Sequence, residues 1–290
     1  MSATSTATAP LPRRLASLVR IEHTVFALPF AYVGTFLAAG DWPGLAEILW
    51  ITVAMIGART VAMALNRLVD AELDAKNPRT ASRELPSGAL SRGQVLLLSA
   101  IALLVFLVAV FQLDAIVRWL WPIPVAMFFV YPYLKRFTWL SHVWLGACLG
   151  LAPVGAWLAV SGTAPWEAWA IGGAVLLWVA GFDFFYSLFD LEHDRTAGLH
   201  SWAVRFGVHG VFRGARAFHL GTLVLLSAAG AGLGVGAWYW VGVLAVAVLL
   251  AYEHALVRPD DLRRLDAAFF TVNGVISVVF FVFVALDVVA

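Results

Sequence analysis

Long apolar runs alternate with short polar breaks along nearly the whole chain. Apolar windows fall at 24–40, 45–65, 94–112, 119–134, 141–160, 166–189, 214–233, 236–256 and 267–288. About 20 apolar residues cross a bilayer as an α-helix. Only helices or closed barrels satisfy the backbone in lipid. These runs are too long for barrel strands and lack strict alternation. The pattern predicts an all-α integral membrane protein with nine transmembrane helices. Residues 1–12, MSATSTATAPLP, are small, polar and proline-bearing, and predict a disordered tail. Residues 13–290 then form a single transmembrane domain. Arg13, Arg14 and Arg20 before the first run imitate a signal peptide. However, Pro29 interrupts that run and many spans follow, so the expectation is an uncleaved first helix.

Composition supports this class independently. Hydrophobic residues make up 62% of the chain and charged residues 13%, with a mean hydropathy of +0.86. Soluble domains carry about 25% charged residues. A soluble enzyme, a nucleic-acid binder and a disordered protein are therefore excluded for most of the chain. The lone Cys148 excludes a disulfide framework and a cysteine zinc site. Only Arg59 and Arg118 of the 19 Lys and Arg lie outside the N-terminus and every second loop of a nine-span chain. By the positive-inside rule, that segregation places the N-terminus in the cytoplasm and Ala290 outside.

Two of the cytoplasmic loops, 66–93 and 190–213, are long, and long loops in a compact protein usually carry function. Each opens with an acidic stripe. The first is Asn66-Arg67-Leu68-Val69-Asp70-Ala71-Glu72-Leu73-Asp74, and the second is Asp190-Leu191-Glu192-His193-Asp194. At helical pitch, Arg59, Asn66, Asp70 and Asp74 fall within an arc of roughly 80°, and Asp183, Asp190 and Asp194 within roughly 40°. Two helices would thus aim carboxylates into one interfacial cavity. Clustered carboxylates repel one another and are expensive near lipid, so something positive must neutralise them. Aspartates with an Asn oxygen are hard ligands that suit Mg²⁺, which keeps waters and is completed by substrate phosphates. Asn66, Asp70, Asp74, Asp190 and Asp194 are the candidate metal ligands, with Asp70 and Asp190 central to catalysis. Lys76, Arg79 and Arg83 follow the first stripe and Arg195 the second, where they can contact the remaining phosphate oxygens. There is no P-loop and no GxGxxG.

Acids at helix ends are commonly just a solvated rim, and Glu72, Glu84, Glu192, Asp260 and Asp261 are read that way. Asp183 and Arg59 lie too deep for a rim. An intramembrane charge is by default a functional candidate. Asp183 either supports a neighbouring group or contacts substrate directly. Arg59 has no acid three or four residues away on its own helix, so its partner is either a group on a neighbouring helix or a substrate anion. His23, His142, His200, His209, His219 and His254 show no ligand spacing and are read as structural or interfacial.

Four ordered blocks resemble the UbiA family of intramembrane prenyltransferases. Ile21–Phe30 resembles the family's opening helix. Arg59 through Asn66, Asp70, Asp74, Arg79-Thr80 and Arg83 to Leu85-Pro86-Ser87-Gly88 resembles its first motif. Tyr131-Pro132-Tyr133-Leu134-Lys135-Arg136-Phe137-Thr138 resembles its fourth-to-fifth helix turn. Asp183 through Tyr186, Asp190, Asp194, Gly198 and Ser201 to Arg205-Phe206-Gly207 resembles its second motif. The resemblance implies nine helices around a lateral cavity open to the membrane. It implies Mg²⁺-dependent transfer of a prenyl chain from a polyprenyl diphosphate to an acceptor. It also implies residence in the bacterial cytoplasmic membrane with the active site near the cytoplasmic face. Lys135 joins the candidate diphosphate contacts, and Arg59, Asp183 and Tyr186 the candidate acceptor contacts. The opening helix and the YPYLKRFT turn look like the 4-hydroxybenzoate branch of quinone biosynthesis. Two positions depart from the family pattern: Arg67 stands where Asp is common, and Arg83-Glu84 where Arg-Pro is common. The RELPSG block looks like a subgroup that prenylates 1,4-dihydroxy-6-naphthoate in futalosine-pathway menaquinone synthesis. The rivals, a transporter with midplane acids on broken helices and a phosphatidyltransferase, fit the acidic stripes less well.

Overall fold

In the computed structural model, the described residues are 10–19, 24–258 and 271–290, and among them the secondary structure is helical. A short amphipathic helix α1 (Leu11–Val19) precedes α2 (Thr24–Ala39), α3 (Leu45–Lys76) and α4 (Arg92–Val110). A single-turn α5 (Val117–Leu120) leads into α6 (Pro122–Leu134). Then come α7 (Ser141–Ser161), α8 (Trp166–Tyr186), a 3₁₀ turn (Ser187–Asp190) and the short α9 (Leu191–Thr196). The chain closes with α10 (Trp202–Leu233), α11 (Ala237–Leu256) and α12 (Asn273–Val289). Six helical segments among the described residues are long and apolar enough to cross a membrane. They are α3, α4, α7, α8 with its extension to Thr196, α10 and α11. Within the windows at 24–40 and 267–288 the described residues form shorter apolar helices, Ala27–Ala39 and Asn273–Val289, and the window at 119–134 breaks at Trp121-Pro122 between α5 and α6.

The helix ends follow local chemistry. α3 stops at Asn77 (φ −93°, ψ 117°), because Pro78 disfavours helical backbone in the residue before it. α4 opens with a capping box. The Gln94 amide donates to Ser91 Oγ at 3.2 Å, and the Ser91 amide donates to Gln94 Oε1 at 2.9 Å. Two expectations change here. The first half of the 66–93 segment is not loop, since α3 carries the acidic stripe to Lys76 before the chain turns. The 190–213 segment is likewise mostly helical, with α9 followed by the start of α10, which kinks at Gly207, whose φ of 67° lies where side chains are strained. Leu11 and Pro12, expected in the tail, begin α1; residues 1–9 lie outside the described set, as do Arg20, His23, Asp260 and Asp261.

α8 is the central helix, packed between α7 and α10. Its Ile171, Val175, Trp178, Val179 and Phe182 meet Phe30 and Val33 of α2, Trp157 of α7, Leu226 of α10, Val246 of α11 and Phe280 of α12. Between helices in lipid, small residues allow the closest approach. A Cβ on Gly150 of α7 would lie 2.5 Å from the Gly172 carbonyl oxygen of α8, so the two backbones touch there. The outward faces are apolar as well: Leu96, Leu97, Ile101 and Leu104 of α4 and Leu244 and Val248 of α11 are exposed. That is the surface a bilayer requires and water would reject.

Candidate active site

The first stripe sits on an unbroken helix, so Asn66, Asp70 and Asp74 share one face of α3, with Asp70 and Asp74 buried. Asn66 Nδ2 donates to Asp70 Oδ2 at 3.2 Å. The second stripe is bent. The 3₁₀ turn at Ser187–Asp190 interrupts the helical period, so Asp183 parts from the other two acids. Asp183 instead faces α7, where His142 Nδ1 lies 2.6 Å from its Oδ2.

Each motif aspartate has a cation brought to it from another segment. Arg79 donates through Nε (2.9 Å) and Nη2 to the two oxygens of Asp190, and through Nη1 to the Tyr186 hydroxyl at 2.8 Å. Its guanidinium also lies 5.2 Å from the centre of the Tyr186 ring. Burial works against the charge on Arg79, but the hydrogen bonds and charges of Asp190 and Tyr186 together outweigh it and hold the guanidinium above its ordinary pKa. Asn77 locks this corner. Its Oδ1 accepts from the Arg79 amide at 3.0 Å and its Nδ2 donates to Asp190 Oδ1 at 2.7 Å. Arg83 Nη1 donates to both oxygens of Asp74 at 2.7 and 2.8 Å, and buried Arg67 places Nη1 3.9 Å from Asp74 Oδ2. Arg136 Nη2 donates to Asp70 Oδ1 at 3.1 Å and to the Val69 carbonyl at 3.0 Å. Lys135 Nζ stands 4.0 Å from Asp194 Oδ1.

Of the expected phosphate contacts, Arg79, Arg83 and Lys135 are thus gathered onto the carboxylates. Lys76 is exposed, and Arg195 pairs on the surface with Glu192 at 3.4 Å. Sequence reasoning missed Arg136, Asn77 and the pairing of Asp183 with His142. It also misread Glu84, which is buried and accepts a hydrogen bond from Ser17 Oγ at 2.7 Å, tying α1 to the loop that carries Arg79 and Arg83. A second tie runs from Arg14 Nη1 to the Ala89 carbonyl at 2.6 Å. Glu72 and Glu192 are exposed, as expected of a rim.

Beside this ionic cluster a cavity of about 480 Å³ runs into the bundle. Arg59, Asn66, Arg67, Arg83, Tyr131, Asp183 and Tyr186 supply its polar wall. Met55, Phe106, Trp121, Phe128, Leu149 and Phe182 supply part of its apolar wall. Arg59 is therefore in the cavity wall, and Asp183 keeps a cavity position while bonded to His142. Among the described residues no three Asp, Glu, His or Cys side chains lie close enough to hold an ion by themselves. The donor set still fits a hard divalent ion completed by other oxygens. It consists of carboxylates and an amide, and Asp194 Oδ1 is buried with no hydrogen-bond partner among the described residues.

A helical bundle with apolar outer faces, and an ionic cluster beside an apolar cavity, defines an integral membrane protein with a cavity in its bundle. The chain belongs to the UbiA prenyltransferase family, whose family model matches residues 27–281. It is 31% identical over 257 residues to the 4-hydroxybenzoate octaprenyltransferase of Pseudomonas entomophila, covering 88% of this chain and 86% of that one. It is 29% identical over 257 residues to the enzyme of that name from Cupriavidus pinatubonensis, covering 88% and 90%. Among solved structures, a UbiA homolog from Aeropyrum pernix superposes with a TM-score of 0.84 at 32% identity, covering 92% of this chain and 98% of that one. A UbiA homolog from Archaeoglobus fulgidus, bound to DMAPP and Mg²⁺, shares the fold with a TM-score of 0.73 at 16% identity, covering 95% and 99%.

Proposed function

We propose that this prenyltransferase moves a polyprenyl chain from its diphosphate to a small aromatic acid of the 4-hydroxybenzoate type in respiratory quinone biosynthesis. One observation carries the reading: cations and carboxylates from α3, the 78–91 loop, the 135–136 turn and the 190–194 segment meet beside an apolar cavity whose wall contains Asn66, Arg67, Arg83 and Arg59. The ionic cluster suits a diphosphate, the apolar walls suit a prenyl chain, and the Arg59 guanidinium suits a carboxylate.

Asn66, Asp70, Asp74, Asp190 and Asp194 would hold Mg²⁺, which when bound supplies positive charge against the diphosphate. Arg79, Arg83, Arg136 and Lys135 stand where they can contact phosphate oxygens and stabilise charge on the leaving group. The allylic C–O bond then breaks with its electrons going to diphosphate. The ring carbon ortho to the phenol oxygen attacks the carbocation, and loss of the ring proton restores aromaticity. Arg59 orients the acceptor by its carboxylate. Nine membrane crossings with a cytoplasmic N-terminus follow from the segregation of Lys and Arg. They put the active site near the cytoplasmic face of a bacterial inner membrane. The cluster of buried and half-buried acids at helix ends, each beside an Arg or Lys, favours a transferase over a transporter.

The test is direct. Membranes containing the protein are incubated with Mg²⁺, labelled polyprenyl diphosphate and either 4-hydroxybenzoate or 1,4-dihydroxy-6-naphthoate, the acceptor that the Arg83–Gly88 block favours. Transfer to one of the two acids is expected. Labelled chain that reaches neither acid overturns the reading.

A further inference from the structure

Prenylation of an aromatic ring releases a proton, and the structure offers a specific place for it. Asp183 stands apart from the four motif aspartates. Those carry guanidinium or ammonium partners on their carboxylates, whereas the hydrogen bond of Asp183 goes to an imidazole. Asp183 is buried, lines the cavity beside Tyr186 and Arg59, and lies 2.6 Å from His142 Nδ1. A neighbouring Arg or Lys disfavours an added proton on a carboxylate. A carboxylate–imidazole pair has a place for one, since the imidazole donates a single N–H to one carboxylate oxygen and leaves the other able to take a proton. His142 Nε2 is buried and has no hydrogen-bond partner among the described residues, so the ring's second nitrogen is not committed elsewhere. The pair is also held rigidly. The two helices that carry it, α7 and α8, are in backbone contact at Gly150 and Gly172, and Phe184 packs edge-on against the His142 ring.

We infer that Asp183 accepts the proton that the aromatic acceptor loses, with His142 as its positioning partner. The assignment rests on the transfer reading above. The new carbon–carbon bond uses a π pair of the ring. The C–H pair at that carbon then returns to the ring, and the proton passes to the Asp183 carboxylate. The hydrogen bond to His142 keeps the free carboxylate oxygen turned to the cavity and shares the positive charge. The proton leaves to solvent as the products depart. No oxidant, reductant or covalent enzyme intermediate takes part.

The experiment uses purified protein in nanodiscs with Mg²⁺ and whichever of the two acids the wild type prenylates, supplied with and without deuterium at the substituted ring carbon. Asp183→Asn keeps the shape but not the basicity. It should lower kcat by about 10²–10⁴-fold, the range typical of a lost general base. It should leave the KM for polyprenyl diphosphate near wild type. Proton loss should become rate-limiting in this variant, so that a normal primary isotope effect appears that the wild type lacks. His142→Asn, whose amide can still donate to Asp183, should show the same isotope effect with a smaller loss of kcat, while His142→Phe should behave like Asp183→Asn. A kcat for Asp183→Asn within a few-fold of wild type overturns the assignment. So does a lowered kcat with no isotope effect in any variant, which would leave the departing diphosphate as the base. Failure of the wild type to prenylate either acid overturns the transfer reading itself, and is told apart because no variant is then needed.

Discussion

Replacing Gly150 by alanine tests whether the contact between α7 and α8 sets the geometry of the site. The added Cβ would lie 2.5 Å from the Gly172 carbonyl oxygen, 3.3 Å from its carbon and 3.4 Å from Leu176 Cβ. The first of these is a backbone atom, which cannot rotate away. Comfortable non-bonded separations are about 3.5–4.0 Å, so the helices must part by the better part of an ångström or deform. Overpacking of this kind costs about 1–3 kcal/mol. Alanine returns about 1 kcal/mol through its better helix propensity. That gain would mask part of the cost, so a second variant is needed beside it. Gly155 is on the same helix, and a Cβ there meets nothing within 4 Å. Gly155→Ala therefore collects the propensity gain without the clash.

Thermal unfolding of both variants in the same detergent, followed by tryptophan fluorescence, isolates the steric term as the difference between them. Gly150→Ala should be less stable than Gly155→Ala by about 1–3 kcal/mol. The same displacement should reach the site. His142 and Asp183 lie on the two helices that must part, and their hydrogen bond is 2.6 Å long, so separation by several tenths of an ångström weakens it. Gly150→Ala should then lower kcat for prenyl transfer while leaving the KM for the diphosphate substrate largely intact. Equal stability of the two variants would refute the close-contact argument, and unchanged kcat would refute the link from packing to the site.

Three further outcomes follow from the site. Activity should require Mg²⁺, and Asp70→Ala or Asp190→Ala should each lower turnover at least about a hundredfold, measured by labelled prenyl transfer; these variants should also be somewhat less stable, because Arg136 or Arg79 loses its anion. Arg59→Leu should raise the KM for the aromatic acid far more than the KM for polyprenyl diphosphate, and Arg59→Lys should recover only part of it because it lacks the bidentate fork; steady-state kinetics with each substrate varied decide this, and equal effects on both would leave Arg59 as a structural group. Glu84→Ala should raise the KM for polyprenyl diphosphate several-fold with little effect on the acceptor, since it releases the loop bearing Arg79 and Arg83 from Ser17 at the cost of one charge-assisted hydrogen bond, about 1.5–3 kcal/mol.

The parts of this molecule that were legible in the sequence are those governed by one helix at a time. The apolar windows fall on helices because lipid permits little else, and Asn66, Asp70 and Asp74 share a face because α3 runs unbroken through them. Where the period fails, the reading fails with it. The 3₁₀ turn at Ser187–Asp190 takes Asp183 out of register with Asp190 and Asp194, and no residue in Ser-Leu-Phe-Asp announces that change. Pairings between segments were illegible for a further reason. Lys135 and Arg136 are adjacent in a tight turn, so they diverge, one toward Asp194 and the other onto Asp70. Sequence spacing marks both as cations near the site but gives no ground for choosing between them. Glu84 was misjudged because rim and buried acids look alike in a polar loop. What could have flagged it is the amphipathic stretch Leu11–Val19, which presents Ser17 and Arg14 to that loop.

The same division explains why the site needs the whole fold. α3 alone would carry its two buried aspartates with an amide and one arginine nearby, and the 190–194 segment alone would be three acids on a bent helix end. Their counter-charges come from the 78–91 loop and the 135–136 turn, and the loop is itself held by α1. An uncompensated carboxylate near lipid costs several kcal/mol. The acids therefore become tolerable only as these segments close on one another. Closure gathers the cations that neutralise the acids beside the apolar cavity, and the same cations are then in position to meet phosphate oxygens. Stability and diphosphate recognition thus draw on one set of side chains. Substitutions among Arg79, Arg83, Lys135 and Arg136 should therefore disturb both together, whereas Asp183 and His142, paired with each other across α7 and α8, should be separable from diphosphate binding.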